Sequence, residues 1–167
     1  MEHSSEKKIG KGMLYVAWFI VLIGLTAIFG KWEDSQFNPN QNLNSSTPGE
    51  IILQQNRKNH YVASGKINGK RVVFLVDTGA TDVSVPAGLA KKLGLAPGQR
   101  GKAITANGIV EIRATRIDKL ELGSITLYDV RASINPGMTG EEILLGMSAL
   151  KDLELTQRDA TLTIKQI

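Results

Sequence analysis

The chain has 167 residues, 42% of them hydrophobic and 22% charged, which leaves room for one globular domain with an appendage and is too apolar for a disordered chain. Its 20 Lys and Arg against 16 Asp and Glu give a net charge of +4, too small and too scattered a surplus to read as a nucleic-acid footprint. With no cysteine and two histidines, disulfides, thiol catalysis, iron–sulfur clusters and Cys-ligated zinc are excluded, and His3 and His60 poorly support a His-rich metal site or a Ser-His-Asp triad.

From Met13 to Gly30 the sequence reads MLYVAWFIVLIGLTAIFG, without a charge, between Lys11 and Lys31. At 1.5 Å rise per residue this run makes about 27 Å of helix, close to a bilayer core of roughly 30 Å. Tyr15 and Trp18 stand toward one end and Trp32 just past the other, as an interfacial belt would have them. A buried core helix and a cleavable signal peptide are the alternatives. The first is disfavoured by the charged brackets, the second by an apolar run longer than about 7–15 residues and by the lack of a clear small-x-small site. The run reads as a transmembrane anchor over 13–30. Lys7, Lys8 and Lys11 precede it, whereas Lys31 follows beside Glu33 and Asp34. The positive-inside rule then makes 1–12 a cytoplasmic tail and places the rest outside. A bacterial inner-membrane protein facing the periplasm is the simplest assignment, and an absence of cysteine is compatible with that compartment.

Residues 31–49 include EDSQFNPNQNLNSST, rich in Asn, Gln and Ser with almost no aliphatic period, and read as a flexible linker ending at Pro48-Gly49. The working domain is then 50–167, in which no internal repeat occurs. Glu50–Asn56 and Tyr61–Ile67 alternate loosely, and Asn68-Gly69 before Lys70–Val76 predicts a hairpin. Arg71–Val76 (RVVFLV) is apolar enough for a strand buried on both faces. Ala87–Leu93, entered through Pro86 and closed by Gly94, predicts a short helix. Lys102–Thr105 and Ile109–Ala114 form a second hairpin around Ala106-Asn107-Gly108. Arg116–Leu122, Ile125–Ile134 and Leu162–Ile167 add strands, and Met147–Leu153 a second short helix. The pattern predicts an all-β domain, a closed or nearly closed barrel with one or two short helices.

The chemistry concentrates in FLVDTGATDVSVP, Phe74–Pro86. An apolar strand delivers Asp77 at its end; Thr78 can hold the following turn with its hydroxyl, Gly79 permits unusual backbone geometry, and Ala80 leaves room beside the carboxylate. Such a carboxylate is costly unless it is hydrogen-bonded or shares a proton. Asp-Thr-Gly is also ordinary turn composition, and the plain alternative is that Asp77 caps a turn. Asp82 reads as a surface or turn residue. Asp118, Glu121 and Asp129 read as solvated, Glu141-Glu142 as the start of a local turn or helix, His60 as a surface residue, and Lys91 and Lys92 as the wet face of a short helix.

The stretch FLVDTGATDVSVP resembles the active-site signature of retropepsin-like aspartic proteases, the family of the retroviral protease. Two further elements follow in the same order: Thr105-Ala106-Asn107-Gly108, placed like the family's flap, and Ile143-Leu144-Leu145-Gly146, similar to its hydrophobic-hydrophobic-Gly element. The likeness covers nearly all of 50–167, and a membrane anchor before such a domain resembles a bacterial group of these proteins. It implies a retropepsin-like closed barrel, an aspartic endopeptidase with Asp77 as the catalytic residue, and a peptide or protein substrate bound under the flap. No metal or cofactor is implied. With a single Asp-Thr-Gly, the chain would need a homodimer to bring two Asp77 side chains together. Met147-Ser148 departs from the Arg and Asn or Asp that retroviral enzymes carry there, which bears on subunit contacts more than on chemistry. A catalytically silent peptide-binding or scaffolding module, and a plain barrel with an incidental Asp-Thr-Gly, remain as alternatives.

Overall fold

A helix with apolar residues on every side and a chain of short alternating runs call for different surroundings, and the structure divides between them at Gln36 and Phe37. It is a computed structural model and describes residues 3–43, 47–105 and 108–167. Helix α1 (His3–Phe37) contains one stretch, Gly12–Phe37, that is long and apolar enough to cross a membrane. Trp18, Phe19, Ile20 and Phe29 are exposed along it, and Phe29 meets Trp32 edge-on with ring centroids 6.4 Å apart. The helix is longer than 13–30 at both ends. It stops at Phe37 because Asn38 precedes Pro39, and a residue before proline is forced out of the helical region.

The second unit begins with β1 (Glu50–Gln54), β2 (Val62–Ile67) and β3 (Lys70–Val76). Asn68 and Gly69 between β2 and β3 both take positive φ, 50° and 77°, as a two-residue hairpin turn requires. Next come β4 (Val83–Pro86), α2 (Ala87–Leu93), β5 (Arg100–Thr105), β6 (Gly108–Leu122) and β7 (Ile125–Asn135). The chain ends in β8 (Glu142–Leu145), α3 (Met147–Leu150), β9 (Leu153–Arg158) and β10 (Thr161–Gln166).

Six strands close into a barrel in the order β2-β3-β8-β4-β7-β6, the ring completed by Lys66↔Glu121 and Ile67↔Leu120 between β2 and β6. Strand β5 hangs on β6 outside the ring, and β1-β10-β9 form a separate three-stranded sheet. Among the named strands, β3 pairs with β8 and β4 with β7 in parallel, and Asn40 makes an isolated parallel bridge to Ala63. Closure uses a glycine: a Cβ on Gly65 would overlap the Glu121 carbonyl and stand 2.6 Å from the Phe74 ring. The core gathers Leu53, Ile67, Phe74, Ile117, Leu120 and Ile143, all essentially inaccessible. Burying apolar side chains of this size supplies roughly 1.5–3 kcal/mol each and is what fixes the strand register.

The all-β barrel with short helices is present, with differences in detail. In Arg71–Val76 only Phe74 is fully buried, because a barrel strand has an outer face; Val72 and Val76, on the same side as Phe74, pack against the core. β4 and β8, four residues each, are too short to show a period; pairing on both sides makes them strands. The arms expected as Ile109–Ala114 and Arg116–Leu122 are one strand, β6, whose first part pairs with β5 and whose second part pairs with β7. The second short helix ends at Leu150, and Leu153 opens β9.

The segment 31–49 also differs from a flexible linker. Residues 31–37 are helical, and Asn38 and Asn40 are buried. The Asn40 carboxamide donates to Gln54 O at 2.9 Å and Val62 O at 2.7 Å and accepts the Gln54 N–H at 2.7 Å; its backbone carbonyl accepts the Ser64 N–H at 3.1 Å. Asn38 donates to the Ser64 hydroxyl at 3.0 Å, and Leu43 packs against the core. The polar composition that suggests a tether here supplies side-chain amides standing in for a strand neighbour. Residues 44–46 lie outside the described residues.

Candidate active site

Strand β3 carries the chain to Asp77 with Phe74 in the core and Val76 hydrogen-bonded to Tyr61 O at 3.0 Å. The Asp77 N–H donates to Leu145 O at 3.1 Å, which extends the parallel register Val76↔Leu145 by one bond. The chain then reverses. The Gly79 N–H donates to Asp77 Oδ1 at 2.9 Å, and the Ala80 N–H to Asp77 O at 3.2 Å. The carboxylate is part-buried and held by backbone, while Thr78 and Gly79 are exposed. Two expected roles change. The Thr78 hydroxyl finds no hydrogen-bond partner among the described residues. Gly79 does not take a left-handed φ; its value is space, since a Cβ would stand 3.2 Å from Asp77 Oδ1.

The element Leu144-Leu145-Gly146 lies directly beside this turn. Leu145 is buried, Leu144 half-buried, and Gly146 buried beneath the turn's own backbone. A Cβ on Gly146 would overlap Asp82 O and come within 2.7 Å of Ala80 O. Just past it, the Met147 N–H donates to Ala80 O at 2.8 Å and the Ser148 N–H to Thr81 O at 2.9 Å. The turn bearing Asp77 is therefore fastened to β8 at its start and to the first residues of α3 further on.

The second hairpin is built by β5 and the first half of β6, with Ile104↔Ile109 and Thr105↔Gly108 in register. Thr105 Oγ1 donates to Gly108 O at 2.9 Å, and Gly108 has φ 108°. Ala106 and Asn107, expected at its tip, lie outside the described residues. Ile104 and Ile109 are 89% and 70% exposed, an unusual placement for two aliphatic side chains that face each other across strands.

Asp82 is engaged by Arg131 Nε at 2.6 Å. Glu121 pairs with Lys119 at 3.1 Å and Asp129 with Arg116 at 2.5 Å; Asp118, His60, Lys91 and Lys92 are exposed. Glu142 opens β8 rather than a helix. Among the described residues no group of three or more His, Asp or Glu side chains could hold a metal ion. Sequence reasoning passed over Arg131 and the hydroxyl of Ser148, which meet Asp82 and Val83 behind the turn; nothing in the spacing of Arg131 marks it.

Residues 63–152 match the family model of a gag-polyprotein putative aspartyl protease. The chain is similar to the crystal structure of a retropepsin-like aspartic protease from Rickettsia conorii, with TM-score 0.59 and 26% identity over 70% of this chain and 99% of that one. An uncharacterized protein in the cobV 5′ region of a Sinorhizobium species is 29% identical over 170 residues, 92% of this chain and 72% of the relative. An uncharacterized protein of Rickettsia prowazekii is 27% identical over 123 residues, and the chain spans about half of that relative's length, 52%.

Proposed function

The chain belongs to the gag-polyprotein putative aspartyl protease family, and we propose that it is an aspartic endopeptidase anchored in a membrane by α1 and active as a homodimer. One observation carries the reading. Asp77 follows a barrel strand in a turn where a backbone N–H holds one carboxylate oxygen and Gly146 backs the turn from below. That geometry presents a single oriented acid, and the reaction needs two.

A twofold axis through the turn supplies the second, from the same residue of another chain. Two carboxylates about 3 Å apart cannot both ionise, so they share one proton. The ionised Asp77 takes a proton from water, whose oxygen attacks the peptide carbonyl; the protonated partner donates to the carbonyl oxygen. Collapse of the tetrahedral intermediate transfers a proton to the amine and breaks the C–N bond. Thr78, Gly79 and Ala80 shape the turn. A peptide lies extended beneath the hairpin of β5 and β6, with Thr105 and Gly108 beside it, where Ile104 and Ile109 give it an apolar cover. The lysines before the span put the protease unit outside the cytoplasm, in the periplasm of a bacterial inner membrane.

The test incubates the full chain in detergent micelles with a diverse peptide library from acid to neutral pH. Wild type is compared with Asp77→Asn and with a pepstatin-type inhibitor. Cleavage by the wild type that both treatments abolish is the expected result. Cleavage persisting in Asp77→Asn refutes the assignment; peptide binding without cleavage by the wild type transfers the protein to the silent, binding-only reading.

A further inference from the structure

Asp82, Val83, Arg131 and Ser148 close a ring of bonds behind the turn that carries Asp77. The Ser148 hydroxyl donates to the Arg131 carbonyl at 2.6 Å and accepts the Val83 N–H at 2.9 Å. Arg131 Nε donates to Asp82 Oδ1 at 2.6 Å. Asp82 and Val83 are neighbours in sequence, so a single residue of β7 grips both, one through its guanidinium and the other through its carbonyl and an inserted hydroxyl. The hydroxyl stands where β4 begins to pair with β7, at Val83↔Ala132.

Residues 77–82 cross from β3 to β4 without strand or helix. Asp77 is tied to β8, and Ala80 and Thr81 to the start of α3. The ring alone among these ties reaches β7, and β7 pairs with β6, the strand that continues into the exposed hairpin; Arg131 lies opposite Arg116 of β6. The two halves of the ring are unequal. The Arg131 side chain is 61% exposed, so its ion pair is screened and contributes little. Val83 is fully buried, and losing the partner of a buried N–H is costly.

We infer that Ser148, supported by Arg131, is a positioning residue that fixes the far end of the Asp77 turn to the strand pair bearing the hairpin. The inference rests on the peptidase reading for its consequence in turnover, but not for its geometry. It also gives the Met147-Ser148 departure a function within one chain.

The test uses the full chain in micelles as wild type, Ser148→Ala, Ser148→Thr and Arg131→Met. Amide hydrogen exchange is read at Gly79 and Ala80, the groups that bond to Asp77, and at Ile117 and Val130 as barrel references. Ser148→Ala is expected to speed exchange at Gly79 and Ala80 at least tenfold and to change the references less than twofold. Arg131→Met should have a smaller effect at the same two amides, and Ser148→Thr, which keeps the hydroxyl, should restore protection. On a peptide cleaved by the wild type, kcat of Ser148→Ala should fall about tenfold with KM within twofold. Exchange at Gly79 and Ala80 no faster than at the references, or no recovery in Ser148→Thr, overturns the inference. The exchange result needs no turnover, so it decides the positioning role separately from the Asp77→Asn test of peptidase activity.

Discussion

Replacing Asn40 with alanine should destabilise the barrel unit by about 2–4 kcal/mol, because three hydrogen bonds of one carboxamide disappear together. The Val62 carbonyl is buried at this contact and bears a penalty of roughly 1–3 kcal/mol when stranded. The two Gln54 groups are closer to solvent, where water recovers part of the loss, leaving about 1 kcal/mol each at most. At about 3–5 °C per kcal/mol for a domain of this size, the melting temperature should fall by about 10 °C. Urea or thermal unfolding of the full chain in micelles, followed by the circular dichroism of strands, measures it; Trp18 and Trp32 both lie in α1 and would not report on the barrel. Asn40→Asp sharpens the test. Its second carboxylate oxygen would face the carbonyls of Gln54 and Val62, which raises the folded-state pKa above the unfolded value. The folded state then binds more protons, so stability is present at acid pH and lost as pH rises from about 4 toward neutrality. A change below about 0.5 kcal/mol for Asn40→Ala, or an Asn40→Asp whose deficit is the same at pH 4 and pH 7, would refute the clamp.

Gly146→Ala should cost about 1–3 kcal/mol by overpacking, since the new methyl meets two backbone oxygens that cannot rotate away, and should weaken cleavage with it. Gly88→Ala, on α2 with nothing near its Cβ, is the matched control and should stabilise by about 0.4–1 kcal/mol in chemical denaturation. A fragment beginning at Phe37 should unfold at a higher temperature than one beginning at Glu50, which lacks Asn38, Asn40 and Leu43; equal melting would deny the arm its part in the fold. The double change Ile104→Ser with Ile109→Ser should leave stability within about 0.5 kcal/mol, both side chains being exposed, while raising KM for peptide.

Local chemistry was the legible part of this chain. Asn68-Gly69 specified its hairpin because only such residues take two positive φ values in succession. Asp77 could be placed at the end of a strand because the β-branched and aromatic run VVFLV, 72–76, leads straight into Asp-Thr-Gly. What escaped was structure created by neighbours distant in sequence. Val83–Pro86 and Glu142–Leu145 are strands because the ring places partners on both sides of them. The Asn-rich segment after α1 looks disordered by composition, and Asn40 is ordered by bonds to Gln54, Val62 and Ser64, none of them close in sequence. Arg131 and Ser148 lie 49 and 66 residues from Asp82, separations that no local pattern encodes.

Circular closure decides where this protein can still grow a sheet. Each strand of the ring has a strand on both sides for at least part of its length, so much of its backbone is already engaged. Among the described residues, β5, β1 and β9 each have a strand on one side alone, and the first part of β6 pairs only with β5. An extended guest that recruits main-chain bonding, whether a visiting polypeptide or a sister subunit, would find its berth along those one-sided stretches.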